Sequence, residues 1–288
     1  MVVKLGGNAA ESEGWAEDVA ALVKAGHQIT IVHGGGPQTT ALQEKLGQTP
    51  RKVAGRRITD GPTLDAIKMV VGGKINIDLC ARLLAAGALP VGLHGASSCV
   101  IEAERRPPSL YAGETEPVDL GLVGDVTAIR GPLAENALEM LAAAGHVPVL
   151  ACIGANARGE VFNINADVVA GRVAVLLKAE ALAMVSDIRG VLRDRNDPES
   201  RIGTITRGEG ERLIAEGVVT DGMIPKVEEA FATIEAGVGR VHILGRLAPG
   251  GALAGRQRPA AILDPRVRGG CCARDPLGRS GGCARIPG

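Results

Sequence analysis

The sequence predicts an α/β protein, a mainly parallel open sheet sandwiched by helices. Apolar, β-branched runs alternate with helical periodicity as far as about residue 244, and strand-like runs end abruptly in glycine. The stretch Ile29-Thr30-Ile31-Val32-His33-Gly34-Gly35-Gly36-Pro37 shows both habits at once. Only four aromatic residues occur (Trp15, Tyr111, Phe162, Phe231), so the core must be packed from Ala, Val, Leu and Ile.

In chain order, residues 2–5 read as a strand running into Gly6-Gly7-Asn8, followed by a helix over about 12–25 with Trp15, Val19, Leu22 and Val23 on one side. Residues 29–33 form the next strand, and Pro37 favours the first turn of a helix reaching Leu46. A Pro/Gly-punctuated segment over 49–61 precedes a helical stretch from Pro62 to about 86, with a weak point at Gly72-Gly73. Residues 89–93 read as another buried strand, and the short alternating pieces over 99–130 as β-hairpins at an edge of the domain. A helix over 132–144 and an apolar strand over 147–153 follow, then a turn at 155–160 and an apolar helix to about 179. The strand 182–186 runs into Asp187-Ile188-Arg189-Gly190-Val191-Leu192. Last come a helix near 208–215, the segment Val218 to Lys226, a helix to about 236 and a strand over 240–244. In open parallel sheets ligands sit beyond the carboxyl ends of the strands, where these glycine loops lie.

At 288 residues the chain is long enough for one large domain or two small ones. Formal net charge is zero and aromatic platforms are few, which gives no support for a nucleic-acid partner. No apolar run reaches the roughly 18 residues of a membrane span. The start Met1-Val2-Val3-Lys4 is strand-like rather than a signal peptide, so the expectation is a soluble, cytoplasmic protein without membrane contact. Cys80, Cys99 and Cys152 lie apart in apolar sequence, without the spacing of a zinc or redox pair, and read as reduced structural thiols.

Glycines let the backbone approach a ligand and turn N–H groups inward, and a helix start adds partial positive charge, so the loop at Gly34 suits a phosphate or carboxylate. No G-x-x-x-x-G-K-[ST], G-x-G-x-x-G, H-E-x-x-H or G-x-S-x-G motif occurs, which argues against P-loop ATPases, Rossmann dehydrogenases, zincins and serine hydrolases. What remains is a set of glycine-rich strand ends, Lys4 and Lys226 beside them, and Asp167 in the first turn of a helix. Such donors fit phosphoryl transfer, where the protein positions the reactants and stabilises spreading charge. His33 sits on the strand side and reads as structural. A substrate carboxylate is already ionised at neutral pH and needs no base.

Eight motifs stand in one order: Lys4-Leu5-Gly6-Gly7-Asn8, His33-Gly34-Gly35-Gly36-Pro37, Arg57-Ile58-Thr59-Asp60, Gly73-Lys74-Ile75-Asn76, Asp119-Leu120-Gly121-Leu122-Val123-Gly124, Asn163-Ile164-Asn165-Ala166-Asp167, Ser186-Asp187-Ile188-Arg189-Gly190 and Thr220-Asp221-Gly222-Met223-Ile224-Pro225-Lys226. With them the chain resembles the acetylglutamate kinases of the amino-acid kinase superfamily, from Val2 to about Leu244. The resemblance implies the carbamate-kinase-like fold and transfer of the γ-phosphoryl group of ATP, with Mg²⁺ accompanying it, to the side-chain carboxylate of N-acetyl-L-glutamate in arginine biosynthesis. It implies that Lys4 and Lys226 stabilise the transferring phosphoryl group, that Asp167 holds both lysines, and that Gly6, Gly7 and Gly35 donate N–H groups. Gly35, Gly36, Arg57 and Asn163 would hold the acetylated amino acid, with Arg57 clamping its α-carboxylate. Asp187, Ile188, Arg189, Gly190, Val191 and Leu192, with Val218, Val219 and Thr220, would line the nucleotide site. Residues 1–150 would serve the acyl substrate and dimerisation, and 151–246 the nucleotide.

The rival readings are a kinase of acetylaminoadipate and a non-catalytic nitrogen or arginine sensor of the same fold; the second is disfavoured because Lys4, Asp167 and Lys226 are all present. A homodimer is expected through the helix around residues 75–84, without arginine feedback, since Lys4 follows the start too closely for the N-terminal helix of arginine-inhibited relatives. Gly92-Leu93-His94-Gly95-Ala96-Ser97-Ser98 replaces a more usual Gly-Leu-Ser-Gly-Lys-Asp-Gly. Residues 247–288, with nine Gly, five Pro, seven Arg, no Lys and Cys271, Cys272 and Cys283, are expected to stay outside the fold as a disordered tail. This segment reads like GC-rich DNA translated in a shifted frame from about 244–248, and its loss would cost the sheet an edge strand.

Overall fold

The computed structural model describes residues 1–7, 11–111, 113–129, 134–186, 191–194, 197, 200–220, 223–245 and 260–263. The first half of the chain gives β1 (Val2–Leu5), α1 (Trp15–Lys24), β2 (Thr30–His33), α2 (Gly36–Lys45), β3 (Lys52–Val53), β4 (Arg56–Arg57), α3 (Gly61–Ile67), α4 (Asn76–Ala85), β5 (Leu89–His94), β6 (Glu102–Arg105), β7 (Gly124–Ala128) and α5 (Ala134–Ala143). Then follow β8 (His146–Ala151), β9 (Ile153–Ala155), β10 (Val161–Asn163), α6 (Ala166–Leu176), β11 (Leu182–Val185), β12 (Thr204–Ile205), α7 (Arg207–Ala215), α8 (Ile224–Glu235), β13 (Arg240–Leu244) and β14 (Ala260–Leu263).

The main sheet has eight strands in the order β12-β14-β13-β11-β1-β2-β8-β5. From β13 to β5 every neighbouring pair is parallel, as the alternation of strands and helices requires. Val2, Val3 and Leu5 of the central strand β1 are fully buried, because both of its faces are covered. The pieces over 99–130 do form an antiparallel pair, β6 with β7, in a separate four-stranded sheet ordered β10-β9-β6-β7. Cys152, between β8 and β9, leads from the main sheet into that layer: its N–H donates to His33 O at 3.2 Å and its carbonyl accepts from Ile164 N–H at 3.2 Å.

Three expectations change. The strand over 89–93 is not buried: β5 is the sheet's edge, and Leu89 is 54% exposed. An apolar run alone does not distinguish a central strand from an edge whose cover is missing.

The helical stretch from Pro62 does continue past Gly72-Gly73, but as a π-helical turn, Lys68–Ile75, between α3 and α4. Two glycines lower the local preference for a regular α-helix, and the widened turn sets Val71 and Ile75 against the backbone at Gly35.

The third change concerns the segment after residue 246. Ala260–Leu263 pairs antiparallel with β13 (Val241 opposite Ile262) and parallel with β12 (Ile205 opposite Ile262), so the sheet keeps the strand that was expected to be lost. Four apolar residues between Pro259 and Pro265 are too few to show a period, yet enough for a ladder. The remaining tail residues, Cys271, Cys272 and Cys283 among them, lie outside the described residues.

β14 has a neighbour on each side, so Ile262→Pro removes an interior ladder donor. We expect a loss of about 1–3 kcal/mol, read as a lower urea midpoint at unchanged m-value. An unchanged midpoint would show that β14 carries no stability.

Candidate active site

β1 ends at the centre of the sheet, and Lys4, its third residue, is paired in register with Val32 on one side and Met184 on the other. Its side chain is 7% exposed and its Nζ lies 2.8 Å from Asp167 Oδ1. Asp167 reaches this position from the first turn of α6, where Asn165 caps the helix by accepting the Asp167 N–H at 2.7 Å. On its other oxygen, Oδ2, Asp167 accepts from Lys226 Nζ at 2.8 Å. Lys226 stands in the first turn of α8, which packs against α6. One buried carboxylate therefore holds two ammonium groups from two different elements.

Burial works against the Asp167 charge, but Lys4 and Lys226 outweigh it and bring its pKa down to about 2. Lys4 is pushed down, first by burial and then by Lys226, with Asp167 opposing. The triad as a whole carries one excess positive charge, which suits an anionic guest.

Two glycine loops adjoin the triad. A Cβ on Gly7 would stand 3.0 Å from the Pro37 ring, and one on Gly34 would stand 3.3 Å from Ala166 Cβ, so the loops after β1 and β2 lie against each other and against the start of α6. The N–H groups of Gly7 and Gly35 have no hydrogen-bond partner among the described residues. Gly6 differs from its expected role: its N–H donates to Val185 O at 2.9 Å and is not free for an anion. What Gly6 supplies is room, since a Cβ there would lie 3.0 Å from Val185 O and 3.3 Å from Lys4 Nζ.

Arg57, on β4, reaches over the start of α2. Its Nη2 donates to Gly36 O at 2.9 Å and to Thr40 Oγ1 at 2.7 Å, and its Nη1 donates to Gln43 Oε1. Gln43 is itself held by donating to Thr63 Oγ1 at 3.0 Å. The guanidinium is half-buried, which lowers its pKa, and it has no carboxylate partner among the described residues. It is a cation fixed in place with donors to spare.

Asn163 donates from Nδ2 to Thr59 Oγ1 at 3.1 Å, and Thr59 donates to Arg57 O at 3.2 Å, so Asn163 and Arg57 belong to one polar chain. Val191 and Val219 are buried in the core of the C-terminal half, and Leu192 bridges to Arg201. Val218 and Val219 both donate their N–H to Leu213 O. Asp187, Ile188, Arg189 and Gly190 lie outside the described residues. Thr40, Gln43 and Thr59 were not anticipated. A signal existed for the first two: three residues apart on a helix, they place polar side chains on one face.

With this geometry in view, comparison with known proteins identifies the class. Residues 1–245 match the family model described as "Amino acid kinase family", and the chain belongs to that family. Within it, the chain is 55% identical over 266 residues to the acetylglutamate kinase of Sorangium cellulosum (strain So ce56), covering 91% of this chain and 92% of that one. It is 40% identical over 250 residues to the acetylglutamate kinase of Methanocaldococcus jannaschii, covering 85% and 82%. Coverage of 91% of the 288 residues exceeds what residues 1–246 could supply, so the aligned span extends past residue 246. Among solved structures, the smu.665 protein of Streptococcus mutans UA159 superposes with a TM-score of 0.73 at 28% identity, covering 91% of this chain and 97% of that one. Carbamate kinase from Giardia lamblia, at 18% identity and a TM-score of 0.60, covers 91% and 97% and shares the fold.

The depressed Asp167 pKa ties stability to acid. Its contribution is fully present above the ordinary value of 3.8 and is lost as pH falls through about 2. Over that window we expect roughly 2–3 kcal/mol of urea-unfolding free energy to disappear. An Asp167→Asn variant should lack this part of the acid dependence, and equal slopes in the two proteins would contradict the ion-pair geometry.

Proposed function

We propose that the chain catalyses ATP-dependent phosphorylation of the side-chain carboxylate of N-acetyl-L-glutamate, giving N-acetyl-L-glutamyl 5-phosphate and ADP, a step of arginine biosynthesis. The observation that carries this reading is the Lys4–Asp167–Lys226 arrangement, a buried and a partly buried ammonium group fixed by one carboxylate, beside the Gly7 and Gly35 N–H groups, which have no hydrogen-bond partner among the described residues.

A carboxylate oxygen of the substrate attacks the γ-phosphorus, the bond to the bridging oxygen of ADP breaks, and no proton changes hands. Negative charge spreads over the phosphoryl oxygens and the departing ADP as the bond cleaves. Lys4 and Lys226 answer that charge from two elements, so their ammonium groups are in place before it develops. Asp167 keeps them apart and oriented without taking part in the transfer. Gly7 and Gly35 add neutral donors. Arg57 pairs with the α-carboxylate and Asn163 with the acetylated amide, leaving the side-chain carboxylate aimed at the lysines. The half built from residues 1–150 takes the acyl amino acid and the half from 151–246 takes the nucleotide. Leu192, Val218 and Thr220, with the backbone at Val191 and Val219, would line that nucleotide site.

Both oxygens of Asp167 are occupied by lysines, and no group of three His, Cys, Asp or Glu among the described residues could hold a metal. Mg²⁺ therefore fits as a companion of the nucleotide phosphates rather than as an ion in a protein cage, and it would neutralise phosphate charge there.

The protein is also proposed to work as a cytoplasmic homodimer. Ile77, Leu84 and Leu89 are 66%, 63% and 54% exposed on α4 and β5, beside the open edge of the sheet, and a second copy would cover them. Among the described residues no helix is long and apolar enough to cross a membrane.

Purified protein should consume ATP only when N-acetyl-L-glutamate is present, and hydroxylamine should trap the acyl phosphate as a hydroxamate. Faster turnover of acetylaminoadipate would reassign the substrate, although one methylene discriminates by only about 1–3 kcal/mol. Lys226→Ala should lower kcat about a hundredfold or more with little change in KM, because its contact strengthens as charge develops. Turnover within threefold of the parent would refute the role given to that lysine. Arg57→Lys should instead raise KM for the amino acid, since a point charge cannot reproduce the fork.

A further inference from the structure

His33, the last residue of β2, is fully buried at the root of the glycine loop. Its Nδ1 lies 3.1 Å from the carbonyl oxygen of Gly34, and its Nε2 lies 3.0 Å from Asn76 Nδ2. A carbonyl only accepts, so Nδ1 carries the proton; the amide of Asn76 donates, so Nε2 offers its lone pair. The other proton of that amide goes to Val149 O at 3.0 Å, which fixes the amide the right way round, because a flip would set oxygen against oxygen. Burial pushes the His33 pKa down to about 4, which keeps the ring neutral.

The consequence lies one peptide further on. The Gly34 carbonyl and the Gly35 N–H belong to the same peptide unit, and no cis bond occurs, so the two point in opposite directions. A carbonyl drawn inward to a buried ring turns the Gly35 N–H the opposite way, away from that ring, in a loop that meets Ala166, the neighbour of Asp167, at Gly34. A second contact holds the same unit: a Cβ on Gly35 would stand 2.4 Å from Ile75 Cδ1 and 3.0 Å from Val71 Cγ2, both in the π-helical turn that delivers Asn76.

We infer that His33 and Asn76 are positioning residues for phosphoryl transfer, holding the Gly34 carbonyl so that the Gly35 N–H is aimed at the transferring phosphoryl group. The inference rests on the kinase reading given above. Glycine on both sides would otherwise let this peptide rotate, and a donor that must reorient during the reaction stabilises the transition state less than one already in place. Neither side chain touches substrate, so the effect belongs to kcat rather than KM.

The test compares His33→Asn, whose amide nitrogen can take the place of Nδ1, with His33→Leu, and records the ring nitrogens of the parent by ¹⁵N spectroscopy. The parent should show the Nδ1–H tautomer. His33→Leu should lose about 30-fold or more in kcat with each KM within about threefold, while His33→Asn should stay within about fivefold of the parent. An Nε2–H parent, a Leu variant that keeps its kcat, or equal losses in both variants at equal melting temperature overturns the proposal. Should His33→Leu fail to fold, Asn76→Asp decides when its ring nitrogens are read alongside its kinetics: a ring whose proton has moved to Nε2 should lose kcat at unchanged KM, and a ring that keeps Nδ1–H should keep its kcat. An unchanged kcat with the proton on Nε2, or a lowered kcat with Nδ1–H retained, overturns the proposal. A parent that consumes no ATP with N-acetyl-L-glutamate would sink the kinase reading instead, and the tautomer measurement would still decide whether the carbonyl is pinned.

Discussion

Two lysines share one buried carboxylate, and the rest of the site follows from that constraint. A buried ammonium is costly without a partner, and removing one member of a buried ion pair costs about 3–5 kcal/mol. Lys4 at the centre of the sheet is therefore tolerable only where Asp167 stands beside it, and the other oxygen of Asp167 takes the partly buried Lys226 from the start of α8. This ties β1, α6 and α8 into one unit. Because one anion faces two cations, the site retains a positive charge that a phosphoryl group can use.

Glycine is the second constraint, and its use differs from loop to loop. Gly7 and Gly35 have N–H groups without partners among the described residues, whereas Gly6 is glycine for want of space between the Val185 carbonyl and Lys4. Gly35 is further required by the π-helical turn, whose Val71 and Ile75 leave no volume for a methyl group. The same turn ends at Asn76, so a local irregularity in one helix sets both the packing and the polar contacts of the loop after β2. Arg57 shows a comparable economy: Gly36, Thr40 and Gln43 hold its guanidinium, and all three come from the helix that this loop begins.

The sequence by itself determined the class of the fold, the order of its elements to about residue 244 and the identity of the charged groups at the strand ends. Those properties are local. Apolar runs of strand length, helical periods and Gly or Pro at their boundaries are set by short-range sterics and burial, and they appear in any window of the chain. Lys4 and Lys226 could be singled out because they stand beside glycine-rich strand ends, and Asp167 because it opens a helix, although their mutual distances could not.

Only the tertiary structure decided which strands are central and which lie at an edge. β5 reads like any buried strand and is left open on one side, while Ala260–Leu263 reads like a fragment and is held between β12 and β13. The reason is physical: strand position depends on pairing partners tens to hundreds of residues away, which no local pattern encodes. The same holds for the hydrogen bonds that distinguish Gly6 from Gly7, and for the ring of His33, whose protonated nitrogen is set by an asparagine 43 residues later in the chain. Residue types were legible in the sequence; which donor remains free, and where it points, was decided when distant segments packed together.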